Sequence, residues 1–268
     1  MIADRFPLMT QTVLDSLRGL VYWSIGIIGI VSIYLPFYPT MADIEAGMEA
    51  WFETLPEAVV EGMGWHDIVS GPGYLNYTVY GLFGPILMLI LAIVYGNRFM
   101  AGDEDRGIFD IYLAYPLGRT NLLLERFAAL AVCLIIIGIV VGLTVTIYVV
   151  ALDMGVGLLN ILAATTGLTL LALLFGTLAL TTGSATGQPG AVLGVAAGLA
   201  ILSYALDTLA PMVEGLDWLR WLSPFHYALG WDPLREGFDL PMLSVVAALI
   251  VAVLVIGAVL FERRDIRT

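Results

Sequence analysis

Five long stretches of the chain carry no Asp, Glu, Lys or Arg: residues 19–42, 68–97, 127–152, 154–206 and 240–261. Each is long enough for a crossing of the hydrocarbon core, which takes ~20 residues. The fourth has room for two, and Gly183-Ser184-Ala185-Thr186-Gly187-Gln188-Pro189-Gly190 supplies the glycine and proline punctuation of a turn between them. The pattern predicts an all-α polytopic membrane protein, one transmembrane domain over 1–268. Its six transmembrane helices fall at 19–37, 77–97, 127–151, 156–181, 190–210 and 242–261.

Between these runs the polar pattern changes. Residues 4–18 place Phe6, Met9, Val13 and Leu17 on one helical face and Asp4, Gln11, Asp15 and Arg18 on the other. This predicts an N-terminal amphipathic helix lying in the membrane interface, or a packed N-terminal helix. In the loop 38–76, Glu45, Glu49, Glu53, Glu57 and Glu61 recur every four residues with Ile44, Met48, Trp51, Phe52 and Leu55 among them. One or two acidic amphipathic helices are expected there, broken at Pro56, with a solvated acidic face. The stretch 98–126 holds Ile108, Ile111, Tyr112 and Tyr115 at i, i+3, i+4 and i+7, a short helix with an apolar stripe that Pro116 stops. Such a stripe calls for a protein partner or the lipid interface.

Composition sharpens the picture. The chain is 60% hydrophobic and 13% charged, with a mean hydropathy of +0.93. All eleven basic residues are arginine. Without lysine there is no phosphate-binding GxxxxGK[ST] loop and no Schiff-base chemistry. The one cysteine, Cys133, excludes a disulfide framework. The first apolar run has no basic segment before it and no small-x-small site after it, so it reads as a retained span. With the N-terminus inside, nine arginines fall on the cytoplasmic side and only Arg220 and Arg235 outside, a positive-inside bias that puts both termini in the cytoplasm. Fourteen of the 23 carboxylates then lie outside, so the net charge of −12 belongs to the outer face. That balance, without lysine, is expected of a high-salt organism.

Little in the spans resembles a reaction centre. Asp207 is the one ionisable residue within them, near the outer end of the fifth. Thr144, Thr146, Thr165, Thr166, Thr169 and Thr177 are free either to line a polar path or to bond between helices. Ser184 falls on the opposite side of the membrane from His66 and His226, which excludes a Ser–His nucleophile. Met41, Met48, Met63 and His66 are too loosely spaced for a metal site, and none is expected. The aromatics of 211–241, Trp218, Trp221, Phe225, Tyr227, Trp231 and Phe238, read as an interfacial belt.

Three short motifs then carry a resemblance. The inner-loop stretch from Glu104 to Arg119, with Glu104, Gly107, Leu113, Pro116 and Arg119, the element from Leu222 to Tyr227, and the tail from Phe261 to Ile266 together resemble the ABC-2 type transporter permeases, the six-span subunits of ABC exporters. Ile108 stands where many members have a threonine. The resemblance implies that 104–116 is a coupling helix seated on a separate ATP-binding subunit, with Glu104, Arg106, Gly107, Ile108, Ile111, Tyr112, Tyr115, Pro116 and Arg119 as the coupling residues. It implies two copies of that subunit, which would bind ATP and Mg, and a second permease copy, either a homodimer or a paralogue. It also implies a multi-pass plasma-membrane location among lipid, with no nucleic-acid partner. The expected function is export of a hydrophobic or amphipathic solute by alternating access, with no enzyme site in this chain. A non-transporting scaffold that recruits a cytoplasmic partner is the alternative. An autonomous secondary transporter is disfavoured by the uncharged spans.

Overall fold

The structure, a computed structural model, describes residues 7–43, 69–107, 118–213 and 215–264. Six helices in it are long and apolar enough to cross a membrane, and no strand occurs among the described residues. They are α1 (Leu8–Met41), α2 (Gly71–Asp105), α3 (Arg119–Ala151), α4 (Leu158–Thr186), α5 (Pro189–Met212) and α8 (Leu240–Arg263). Two short helices, α6 (Pro224–Leu229) and α7 (Pro233–Glu236), lie between α5 and α8. Seven of the nine described arginines sit toward one end of this bundle. Arg220 and Arg235 are at the other.

α4 is the hub, packing against α2, α3, α5 and α8. In hydrocarbon, helices associate through close van der Waals packing, which small residues allow. α4 is rich in them, with Ala163, Ala164, Gly167, Ala172, Gly176, Ala179 and Gly183 all buried. At the crossing with α2, a Cβ on Gly96 would run into the backbone carbonyl of Gly176. Any side chain there would force the two helices apart. α1, α5 and α8 flank this core and turn long apolar faces outward, such as Val21, Ile25 and Ile28 on α1 and Val251, Val255 and Val259 on α8. Lipid tails solvate such surfaces without penalty.

The span hydroxyls mostly bond within their own helices. Thr144, Thr146, Thr166, Thr169 and Thr177 each donate to the carbonyl four residues back at 2.6–2.7 Å. The exception is Thr165, paired with Tyr80 of α2 at 2.8 Å. Those that back-bond spend their one hydroxyl donor inside their own helix and so donate no bond between helices.

Several expectations are corrected. The helix expected over 4–18 is not separate from the first span, because Pro7–Tyr34 is one uninterrupted helix. Its protein-facing side is Leu8, Thr12, Ser16 and Leu20, continuing through Ile27, Val31 and Leu35, while Leu17 of the expected apolar stripe is exposed. The reason lies in α3. One Glu125 carboxylate oxygen accepts the Leu8 and Met9 amides at 3.0 and 3.1 Å, satisfying donors that a helix N-terminus leaves open and complementing its dipole. The inner loop is also shorter than 98–126, since α2 runs on to Asp105 and α3 begins at Arg119. The extension is held by a buried ion pair, Arg126 Nη2 to Asp103 at 2.5 Å, while Arg126 Nη1 donates to Thr12 at 2.6 Å. These charges were not counted among the span residues in the sequence. In the loop 38–76, the stretch from Glu45 to Glu61 on which the acidic helices are expected lies outside the described residues.

At the opposite end, α6 is seated by the Ser223-Pro224-Phe225 element. The Ser223 hydroxyl accepts the Phe225 amide at 3.2 Å and donates to the Ser203 carbonyl of α5 at 2.8 Å. Phe225 is buried against Phe175 and Tyr204, so it belongs to the core and not to an aromatic belt. Trp218, Trp221 and Phe238 do stay exposed. Burial, reinforced by the nearby Arg220 guanidinium, holds the His226 imidazole below its ordinary pKa.

Breaking the Asp103–Arg126 pair on one side strands a buried charge. Arg126→Met is expected to cost about 3–5 kcal/mol, and Asp103→Leu/Arg126→Met less than Arg126→Met alone. Thermal unfolding in detergent reads both.

Candidate functional site

The polar groups that are not simply structural collect at the arginine-rich end, where α2, α3, α4 and α8 begin or finish. α2 ends through Gly107, which takes φ +70° and donates its amide to the Glu104 carbonyl at 2.9 Å. This left-handed position suits glycine and stops the helix. Glu104 therefore sits in the last turn of α2, and the helix expected to open at Glu104 does not do so. A carboxylate at a helix C-terminus opposes the dipole and needs a cation. Arg264, just beyond α8, supplies it. Its Nη1 and Nη2 reach the two Glu104 carboxylate oxygens at 2.9 and 2.5 Å, and Nη1 also donates to the Ser184 carbonyl of α4 at 3.1 Å. Both side chains are largely shielded, at 18% and 19% exposed, so this forked pair keeps more of its strength than an open surface pair would.

Gly187 completes the arrangement. It closes α4 at φ +66° with its amide bonded to the Gly183 carbonyl at 2.8 Å. A Cβ on it would strike Arg264 Nη2 and Glu104 Oε1. The left-handed backbone favours glycine there, and the absence of a Cβ leaves the ion pair its room.

Arg119, the first residue of α3, attends to the end of α8. Its Nη1 lies 3.3, 3.4 and 2.5 Å from the carbonyls of Phe261, Glu262 and Arg264, among the acceptors that a helix C-terminus leaves without intrahelical partners. The adjacent Thr120 hydroxyl donates to Glu262 Oε1 at 2.5 Å, placing a carboxylate at the α3 N-terminus, where the dipole favours it. Phe261 anchors this tail by being fully buried.

Of the residues singled out in the sequence, the structure brings Glu104 and Arg119 onto one tail, exposes Arg106, and makes Gly107 the helix stop. Ile108, Ile111, Tyr112, Tyr115 and Pro116 lie outside the described residues. Sequence reasoning missed the partnership itself. Arg264 was visible in the tail motif, but nothing local indicated that it meets Glu104, 160 positions away. Gly187 looked like turn punctuation alone. Ser184 spends its hydroxyl on the Thr181 carbonyl at 2.8 Å, and His226 is at the far end of the bundle.

The profile of the ABC-2 family transporter protein family matches residues 8–266, the whole of this architecture from the capped start of α1 to the tail. No curated protein matches the sequence.

Gly187→Ala should destabilise the protein by about 1–2 kcal/mol, from the left-handed backbone alone. Gly190→Ala, with open space around it in helical α5, should be neutral or stabilising by up to about 1 kcal/mol. Parallel melting curves in detergent give the contrast.

Proposed function

We propose, from the premise that this chain belongs to the ABC-2 transporter family, that it is the permease of an ATP-driven exporter. The family is a transporter component and not the ATPase. The energy would come from two copies of a separate ATP-binding subunit holding ATP and Mg, acting on a pair of permeases in the plasma membrane. The arginine-rich end would face the cytoplasm, as the positive-inside bias requires. Nucleotide-driven closure of the ATPases would push on the 108–117 segment and rock the helices between inward- and outward-open arrangements.

One observation carries this reading. The two flanks of 108–117, Glu104 on one side and Arg119 on the other, are tied into the ends of α4 and α8 by charge-assisted hydrogen bonds. A partner that grips the segment would therefore act on several helices at once and not on a slack loop. The apolar stripe of Ile108, Ile111, Tyr112 and Tyr115 is the surface such a partner would bury. The solute is hydrophobic or amphipathic. Long spans with few ionisable groups and hydroxyls that mostly bond within their own helices support an apolar cargo.

Two experiments test the proposal. Burial of Ile111 and Tyr112 against the ATPase is worth about 1.5–3 kcal/mol each, and introduced carboxylates add a desolvation cost. Ile111→Asp/Tyr112→Asp should therefore abolish co-purification of the ATP-binding subunit while the permease melts normally. Retention of that subunit by the folded double variant would remove the docking role. For orientation, in a Cys133→Ala background and right-side-out vesicles, an impermeant maleimide should label Asp217→Cys and spare Arg263→Cys. The reverse pattern would invert the topology.

A further inference from the structure

Both flanks of the segment between Gly107 and Gly118 converge on the same four residues at the end of α8. Glu104 is forked by the Arg264 side chain. Arg119 and Thr120 hold the Phe261, Glu262 and Arg264 carbonyls and the Glu262 carboxylate. The tail is thus a second connection across the feet of α2 and α3, which are already joined by Asp103 and Arg126. What it adds is a link to α8.

α8 is suited to be moved. It packs chiefly on α4, with smaller contacts on α6 and α3. Its buried residues are few, Leu243, Val246, Ile250, Gly257 and Phe261, spaced along a single face. Val253, Leu254 and Ala258 are half-buried beside them, and most of the rest of the span is apolar and exposed, which lipid lets slide. The helix crosses α4 where a Cβ on Gly257 would collide with the Thr181 side chain, a point of close approach about which its two ends can swing. The foot of α8 carries the polar grip, and the grip is on the flanks of 108–117.

We propose that residues 261–264 form a strap that transmits movement of the α2 and α3 feet, which flank residues 108–117, to α8, with Arg264 as its positioning residue acting through Glu104. The proposal rests on the reading of that segment as the ATPase-docking element. Arg264 touches neither the ATPase nor the solute. It fixes the distance between the α2 foot and the α8 foot, so that displacement of one is displacement of the other. Loss of the fork leaves the docking surface in place and lets α8 lag behind.

The test uses the full permease with its ATP-binding subunit in liposomes. Spin labels at Val251→Cys on α8 and Ile25→Cys on α1, in a Cys133→Ala background, report the distance between the two helices with and without ATP and vanadate. With native Arg264, nucleotide shifts that distance. Arg264→Ala keeps the bound ATPase but lowers the shifted population about fivefold or more, the scale of an ordinary coupling energy. Arg264→Lys, with charge but no fork, falls between. In a Glu104→Gln background, Arg264→Ala produces no further loss, because the two residues act as one unit. A full shift in a folded, ATPase-bound Arg264→Ala variant overturns the strap, and so does an additive loss in the Glu104→Gln background. Should Arg264→Ala fail to fold, a full shift in Arg264→Lys overturns it instead. A wild-type complex that binds ATPase but shows no shift on nucleotide also overturns it. Failure of the wild-type permease to bind the ATPase at all is a failure of the docking reading, and is distinguishable from these.

Discussion

A polar group at the edge of a membrane has to find its partner within the chain or at the waterline, and the ends of the helices here follow from that constraint. The N-terminus of α1 takes its acceptor from Glu125. The C-terminus of α8 takes its donor from Arg119. The C-terminus of α4 receives Arg264 through the Ser184 carbonyl, and the carboxylate at the end of α2 is neutralised by the same guanidinium. Each end is completed by a residue from another helix, so the ends cannot separate without exposing unsatisfied backbone or charge. The small-residue packing around α4 brings the helices close. The exchange of caps sets which ends meet.

This division explains what was legible in the sequence. Uncharged runs of span length are a direct statement about solvation, and six spans could be counted from them. The lengths of the helices beyond the apolar core were not readable in the same way. Asp103, Glu125 and Arg126 look like loop residues to any hydropathy argument, yet they are helical, with Asp103 and Arg126 paired and Glu125 capping α1. The same holds for the start of α1, whose apparent amphipathic stripe was a poorer guide than the Glu125 carboxylate more than a hundred positions away. At the opposite end, Phe225 looked like one more aromatic of an interfacial belt. The Ser223 cap turned it inward against Phe175 and Tyr204.

The candidate site divides along the same line. Glu104, Gly107 and Arg119 stood out through local motifs, and local conformation accounts for Gly107. Arg264 and Gly187 acquire meaning only from tertiary contact, because a forked ion pair needs both a partner and room. On the proposed reading, an interior with few ionisable groups next to a densely charged foot suits a machine driven from one end. Work would enter where polar contacts lock helices together and be delivered where the helices slide in lipid. Membership of the ABC-2 transporter family gives that asymmetry its biochemical setting.

The central claim is that the arginine-rich foot, between Glu104 and Arg119, receives the ATP-binding subunit. Hydrogen–deuterium exchange on the purified permease, alone and with its ATPase, tests it most directly. The account predicts that amides of 108–117 become protected on complex formation while those of the Ser223–Gly230 region at the opposite end are unchanged. Unaltered exchange across 108–117 in a stable complex, with protection appearing elsewhere, would contradict it.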